Sequence, residues 1–109
     1  MTRNDPYAAA QAVVPGCALT PDGVSEQQRR HRKLAPSVTK TERTADRLII
    51  EFRADYDAQV LDDMLAVERE CCPFFVFDLD RDRRRLEIAV REPEQIPALD
   101  AIAHALTQS

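Results

Sequence analysis

Residues 57–79 read DAQVLDDMLAVERECCPFFVFDL, and the period of their apolar positions changes partway along. Up to Cys71, the residues Val60, Leu61, Met64, Leu65 and Val67 recur at spacings of three and four, which predicts a helix opened by Asp55 or Asp57 as cap. Pro73 keeps Cys72 away from helical dihedrals, so the helix should stop there. The run Phe74, Phe75, Val76, Phe77, Asp78 and Leu79 then reads as a strand, and its near-continuous apolar character predicts a buried one.

Elements on either side follow the same alternation. Asp80 to Arg84 is a charged turn, and Arg85 to Arg91 returns with Leu86, Ile88 and Val90 on one face, which makes a hairpin. Upstream, Arg47 to Arg53 places Leu48, Ile50 and Phe52 on one face at period two. Ser37 to Arg43 is its more exposed hairpin partner across Thr44-Ala45-Asp46. Thr20-Pro21 predicts an N-cap and first turn, with a helix to about Leu34 stopped by Pro36 and a weak inward stripe of Val24, Gln28, His31, Leu34 and Ala35. A last helix from about Ile96 to Thr107 turns Leu99, Ile102, Ala103 and Leu106 inward. Ala12 to Leu19, broken by Pro15 and Gly16, fits an irregular or edge strand.

The resulting order is strand, helix, strand, strand, helix, strand, strand, helix. It predicts an α+β protein: a ferredoxin-like sandwich with an antiparallel or mixed sheet, helices on one face, and an extra C-terminal strand and helix. Residues 1–10 read as a loosely held tail and residues 11–109 as a single α+β domain.

Composition narrows the function. The chain has 109 residues, 44% of them hydrophobic and 31% charged, an ordinary globular balance in which a separate cofactor domain has no room. The net charge of -4 opposes broad nucleic-acid binding. No apolar run reaches the roughly 18 to 20 residues that span a bilayer, and no secretory leader is evident, so no membrane partner and a cytoplasmic location are expected. Arginine outnumbers lysine, with basic runs at Arg29 to Lys33 and Arg81 to Arg85 that read first as solvated faces.

The chemistry concentrates at the end of the central helix. On a wheel of about 100° per residue, Glu68 falls within the apolar sector, one turn before Cys71 and Cys72. A carboxylate facing a core costs several kcal/mol unless it is paired, hydrogen-bonded or protonated, so Glu68 needs partners. His31 and Arg32 on the first helix are the candidates. The bland reading is an ion pair at the core edge; the functional one is a polar pocket shared by Glu68, Cys71 and Cys72.

In a reducing compartment three cysteines are expected as thiols, metal ligands or core residues rather than as a disulfide framework. A bridge between Cys71 and Cys72 would be strained, because neighbouring α-carbons sit about 3.8 Å apart, below the usual disulfide window of roughly 4.4 to 6.8 Å. Paired thiols suit Hg, Cu(I) or, with more ligands, Zn. Cys17, Cys71, Cys72, His31 and His104 are too scattered for a closed zinc motif. A helix C-terminus also raises a thiol pKa, which weakens a nucleophilic role. Whether Cys17 meets the other two depends on the path of the first segment.

The run from Leu65 to Phe77 resembles the motif E-x-x-C-C-[PS]-F-F-x-F of a small bacterial domain, which also carries an upstream Cys-x-Leu-[ST] element and an arginine on its first helix. Cys17-Ala18-Leu19-Thr20 and Arg32 match those elements, and His31 stands where the family has an aromatic residue. The resemblance covers residues 17 to about 107. Such domains stand alone or extend MerR-type regulators, which implies a link to heavy-metal or thiol-reactive stress. This chain shows no helix-turn-helix, so DNA binding is not implied.

The leading expectation is a thiol-containing binding domain. In it Cys71, Cys72 and Cys17 hold a soft metal ion or thiol-reactive small molecule, and Glu68, Arg32 and His31 complete the site. The alternatives are a small thiol enzyme or redox protein, in which Glu68 moves the proton, and a structural module that forms a homodimer through the edge Ser37 to Arg43 with packing cysteines.

Overall fold

The computed structural model describes residues 20–107. Three helices, α1 (Pro21–Leu34), α2 (Ala58–Cys71) and α3 (Ile96–Thr107), pack against one four-stranded sheet. The strands are β1 (Val38–Arg43), β2 (Arg47–Phe52), β3 (Val76–Asp80) and β4 (Arg85–Ala89), in the order β1-β2-β4-β3 with every pair antiparallel. The protein is therefore α+β, consistent with a ferredoxin-like sandwich. The expected first strand, Ala12 to Leu19, and the tail at residues 1–10 lie outside the described residues.

Local chemistry sets each boundary. Thr20 caps α1, its Oγ1 accepting from the Gly23 N–H at 3.1 Å with proline in the first turn. Asp57, rather than Asp55, caps α2, accepting from the Val60 N–H at 3.1 Å. Pro36 sits in a 3₁₀ turn (Ala35–Ser37) that delivers the chain to β1. Before α3, the Gln95 side chain accepts from the backbone N–H groups of Arg91 and Glu92, fixing the turn Pro93–Gln95.

Period two places the core on one sheet face. Leu48 and Ile50 of β2 stand opposite Ile88 and Leu86 of β4, and all four are fully buried, as is Phe52. The reverse face carries half-buried Ile49, Glu51, Arg85 and Glu87, with Arg47 paired to Glu87 at 3.0 Å. The helices close the apolar side through Leu34 of α1, Leu61, Met64 and Leu65 of α2, and Leu99, Ile102 and Leu106 of α3. Burying such side chains contributes about 1.5 to 3 kcal/mol each.

Two expectations change. The run from Phe74 does not form a buried strand. β3 begins only at Val76 and is an edge strand whose residues alternate between exposed and half-buried, with Val76 39% exposed. Phe74 and Phe75 lie in the preceding turn, and their rings meet edge to face at 5.0 Å between centroids. The apolar run is thus split between a turn that packs into the core and an edge that does not. On α1 the buried positions are Gln27, His31 and Leu34, so the inward stripe runs through Gln27 while Gln28 is only half-buried.

The other edge strand, β1, is exposed along most of its length, as expected. An irregularity between Val38 and Lys40 breaks its register, and the Thr39 hydroxyl reaches the Glu51 carbonyl there. At the β3–β4 turn Arg84 takes φ 53°, and its Nε donates to the Phe52 carbonyl at 3.0 Å while its own carbonyl accepts from the Phe52 N–H at 2.9 Å. This contact ties the hairpin to the end of β2.

Candidate functional site

The final turn of α2 meets the middle of α1 through polar groups, inside a region otherwise filled by hydrocarbon. Glu68 is 1% exposed and faces inward, where the helical period predicts an apolar residue. Its carboxylate needs donors, and α1 supplies them. The Gln27 amide nitrogen donates to Glu68 Oε2 at 3.1 Å and to the Met64 carbonyl at 2.9 Å. Arg30 in turn donates to the Gln27 side-chain oxygen at 2.8 Å, which fixes the direction of the amide. His31, also buried, brings Nε2 to 3.3 Å from the same carboxylate oxygen, an ion-pair distance whenever the ring is protonated.

Cys72 completes the group from the other side. As the C-cap of α2 it leaves the helix with φ -129° and ψ 70°, its N–H donating to the Glu68 carbonyl at 2.7 Å. Its buried thiol feels the Glu68 carboxylate of the preceding turn. Burial first, and then the charge and hydrogen bond of Glu68, push the thiol up from its usual 9.0 to about 12. Each influence acts against the thiolate: an apolar surround disfavours the charged form, and a neighbouring anion repels it. Near neutral pH Cys72 is therefore protonated.

Cys71 and Cys72 are both buried but differ chemically. Cys71 is disulfide-bonded, whereas Cys72 is a free thiol. The two neighbours are therefore not bridged to each other, in keeping with the short spacing of adjacent α-carbons. The disulfide at Cys71 corrects the expectation that the cysteines would stand as thiols, ligands or packing residues. Sequence spacing alone does not fix the pairing of a cysteine, so this bond had no local signature. Cys17 lies outside the described residues.

Of the candidate residues, Glu68, His31 and Cys72 come together, with Cys71 at the end of the same helix. Arg32 does not join them; it is exposed one position past His31, about 100° around α1. His104 is exposed on α3. Gln27 is the site residue that sequence reasoning missed. Its spacing of four to His31 and seven to Leu34 was the available signal, but a glutamine in a weakly apolar stripe does not stand out beside Gln28.

Among the described residues, no group of three or more His, Cys, Asp or Glu side chains is arranged to hold a metal ion. An open groove of about 550 Å³ runs beside the site between the Pro73 to Phe77 segment and the turn at Arg91 to Gln95. Its lining begins immediately after Cys72 and includes neither Cys72 nor Glu68. Arg69, on the outer side of α2, lies over the Phe77 ring at 5.4 Å. No helix among the described residues is long and apolar enough to cross a membrane. Comparison of the chain with family models, with curated proteins and with solved structures finds no match.

Proposed function

We propose that this domain binds a soft metal ion or a thiol-reactive small molecule through Cys72 and Cys71, with Glu68 receiving the proton that binding displaces. The observation that carries this reading is a buried carboxylate, Glu68, on the last turn of the helix that ends in the buried Cys71 and Cys72. A soft cation deprotonates the thiol it binds, forming a metal–sulfur bond and releasing a proton. Glu68 is placed to receive that proton, with His31 Nε2 3.3 Å from its carboxylate. Raised basicity favours the soft metal ion over an electrophilic small molecule as the ligand. A thiol at about 12 offers almost no thiolate nucleophile at neutral pH, yet the more basic sulfur binds a soft cation more strongly once its proton has left.

The likeness of residues 65–77 to the E-x-x-C-C-[PS]-F-F-x-F domains, some of them attached to metal-responsive regulators, points the same way. A reducing, cytoplasmic setting fits the reading, since it would release Cys71 as a second thiol. A redox role is the second reading, and the observation favouring it is the disulfide at Cys71 beside the free Cys72.

Titration of the reduced protein with Hg(II), with free thiols counted at each step, tests the proposal. One equivalent should consume two thiols in the wild type. A Cys71→Ser, Cys72→Ser double variant that behaves like the wild type would remove the proposal.

A further inference from the structure

We infer that the outer edge of β1 is an interface with a second copy of this chain, the two β1 strands pairing antiparallel about a two-fold axis at Thr41. This interface is separate from the thiol site and does not depend on it.

Backbone parity turns the necessary groups outward. The Thr44 N–H donates to the Arg47 carbonyl at 2.9 Å, and the register sets Glu42 opposite Ile49. In an antiparallel pair the backbone groups of successive residues point alternately to the two sides of the strand. Those of Thr44 and Glu42 therefore face β2, and those of Thr41 and Arg43 face away from it. β1 ends the sheet, and among the described residues no strand pairs with its outer side. Such outward groups are a template for another strand.

Charge selects both the occupant and the register. Lys40 and Glu42 share the sheet face that carries Ile49 and Glu51, away from the helices, and both are exposed. Pairing two copies about Thr41 sets Lys40 of each directly opposite Glu42 of the other. The ion pair that already links them within the strand at 3.3 Å then becomes a ring of four alternating charges. An axis at Lys40, Glu42 or Arg43 sets that residue opposite itself, and like charges directly opposite are destabilising. Only the axis at Thr41 joins outward backbone groups without such a clash, and it places two threonines side by side.

The seam is open on both faces. Thr41 shares the helix-side face with Ile50, its partner in register, yet it is exposed, so no helix overhangs the edge there. The irregularity between Val38 and Lys40 interrupts regular pairing on one side and confines contact to the short stretch around Thr41. Charges and a bulge blunt an edge against indiscriminate strands; here the charges are complementary to their own copy. Pairing in this way continues the four-stranded sheet of one copy into that of the other, with the helices of both on one side.

Sedimentation equilibrium of the full chain at low salt, from micromolar to millimolar, is the test, with hydrogen exchange at the Thr41 amide as second readout. A monomer–dimer equilibrium is expected, with Thr41 protection rising with concentration. Lys40→Glu and Glu42→Lys each set like charges opposite and should weaken association by about tenfold, with circular dichroism confirming that the variants are folded. An equimolar mixture of the two single variants puts opposite charges at both positions and should recover the wild-type affinity. So should the Lys40→Glu, Glu42→Lys double variant, whose net charge is unchanged. The interface is overturned if the chain stays monomeric throughout, if single charge reversals leave the dimer intact, or if neither the mixture nor the double variant recovers association. A monomer whose Thr41 amide is protected at every concentration overturns it as well and assigns the edge to residues 1–19 of the same chain.

Discussion

Replacing Glu68 with glutamine keeps the volume of the side chain and removes its charge, so it isolates what the carboxylate does to Cys72. The Cys72 thiol stands at about 12 against a usual 9.0, a displacement of about three pH units with three causes. Burial is the largest, and the charge and hydrogen bond of Glu68 act in the same direction. Glu68→Gln should therefore move the thiol from about 12 back toward 9.0 without reaching it, raising the thiolate fraction at a fixed pH below the transition by less than about 1000-fold.

The Cβ chemical shift of Cys72, followed by NMR in isotope-labelled protein from pH 8 upward, reads the titration without requiring a reagent to reach a buried sulfur. Stability provides a second readout. A thiol raised on folding holds its proton more tightly in the folded state, so its stabilisation is complete below about pH 9 and is lost as pH rises towards about 12. That loss amounts to at most about 4 kcal/mol across the interval, at about 1.4 kcal/mol per pH unit. The variant should lose less over a narrower interval. A wild-type Cys72 that titrates near 9, or a variant indistinguishable from the wild type, would refute the proposed contact.

Other substitutions probe the surroundings of the site. Gln27→Leu removes the amide that donates to the Met64 carbonyl and to Glu68 Oε2 and should cost about 1 to 3 kcal/mol, read from the urea midpoint; a cost below about 0.5 would show that the amide is incidental. Asp57→Ala removes the α2 cap and should cost about 1 kcal/mol in the same assay. At the β3–β4 turn, Arg84→Gly loses the contact to the Phe52 carbonyl but relieves a positive φ, whereas Arg84→Ala loses the contact and keeps the strain. The alanine variant should be the less stable of the two by about 1 kcal/mol.

Much of this architecture was legible because local chemistry and tertiary packing agree. Thr20-Pro21, the turn Thr44-Ala45-Asp46 and Pro73 mark their boundaries, and the apolar alternation of Leu48, Ile50, Leu86 and Ile88 names the buried face. Glu68 was legible for the opposite reason, as a charge where the helical period demands hydrocarbon. His31 followed from its inward place on α1. The sequence could not choose between His31 and Arg32 as neighbours of Glu68, since that depends on the rotation of α1 against α2. Phe74 to Leu79 misled because a run of apolar residues looks the same whether it lies in a central strand or spans a turn and an edge. The bond at Cys71 was hidden for a different reason: nothing in the local pattern of Cys71-Cys72 records it.

The central claim, that adjacent sulfurs and a buried carboxylate form one soft-ligand site, meets its most direct test in X-ray absorption at the mercury edge. The measurement is made on reduced protein carrying one equivalent of Hg(II). Two sulfur neighbours in the wild type, and fewer than two once Cys72 is replaced by serine, are the predicted result. A single sulfur with light-atom ligands in the wild type, or a spectrum unchanged by loss of Cys72, would contradict it.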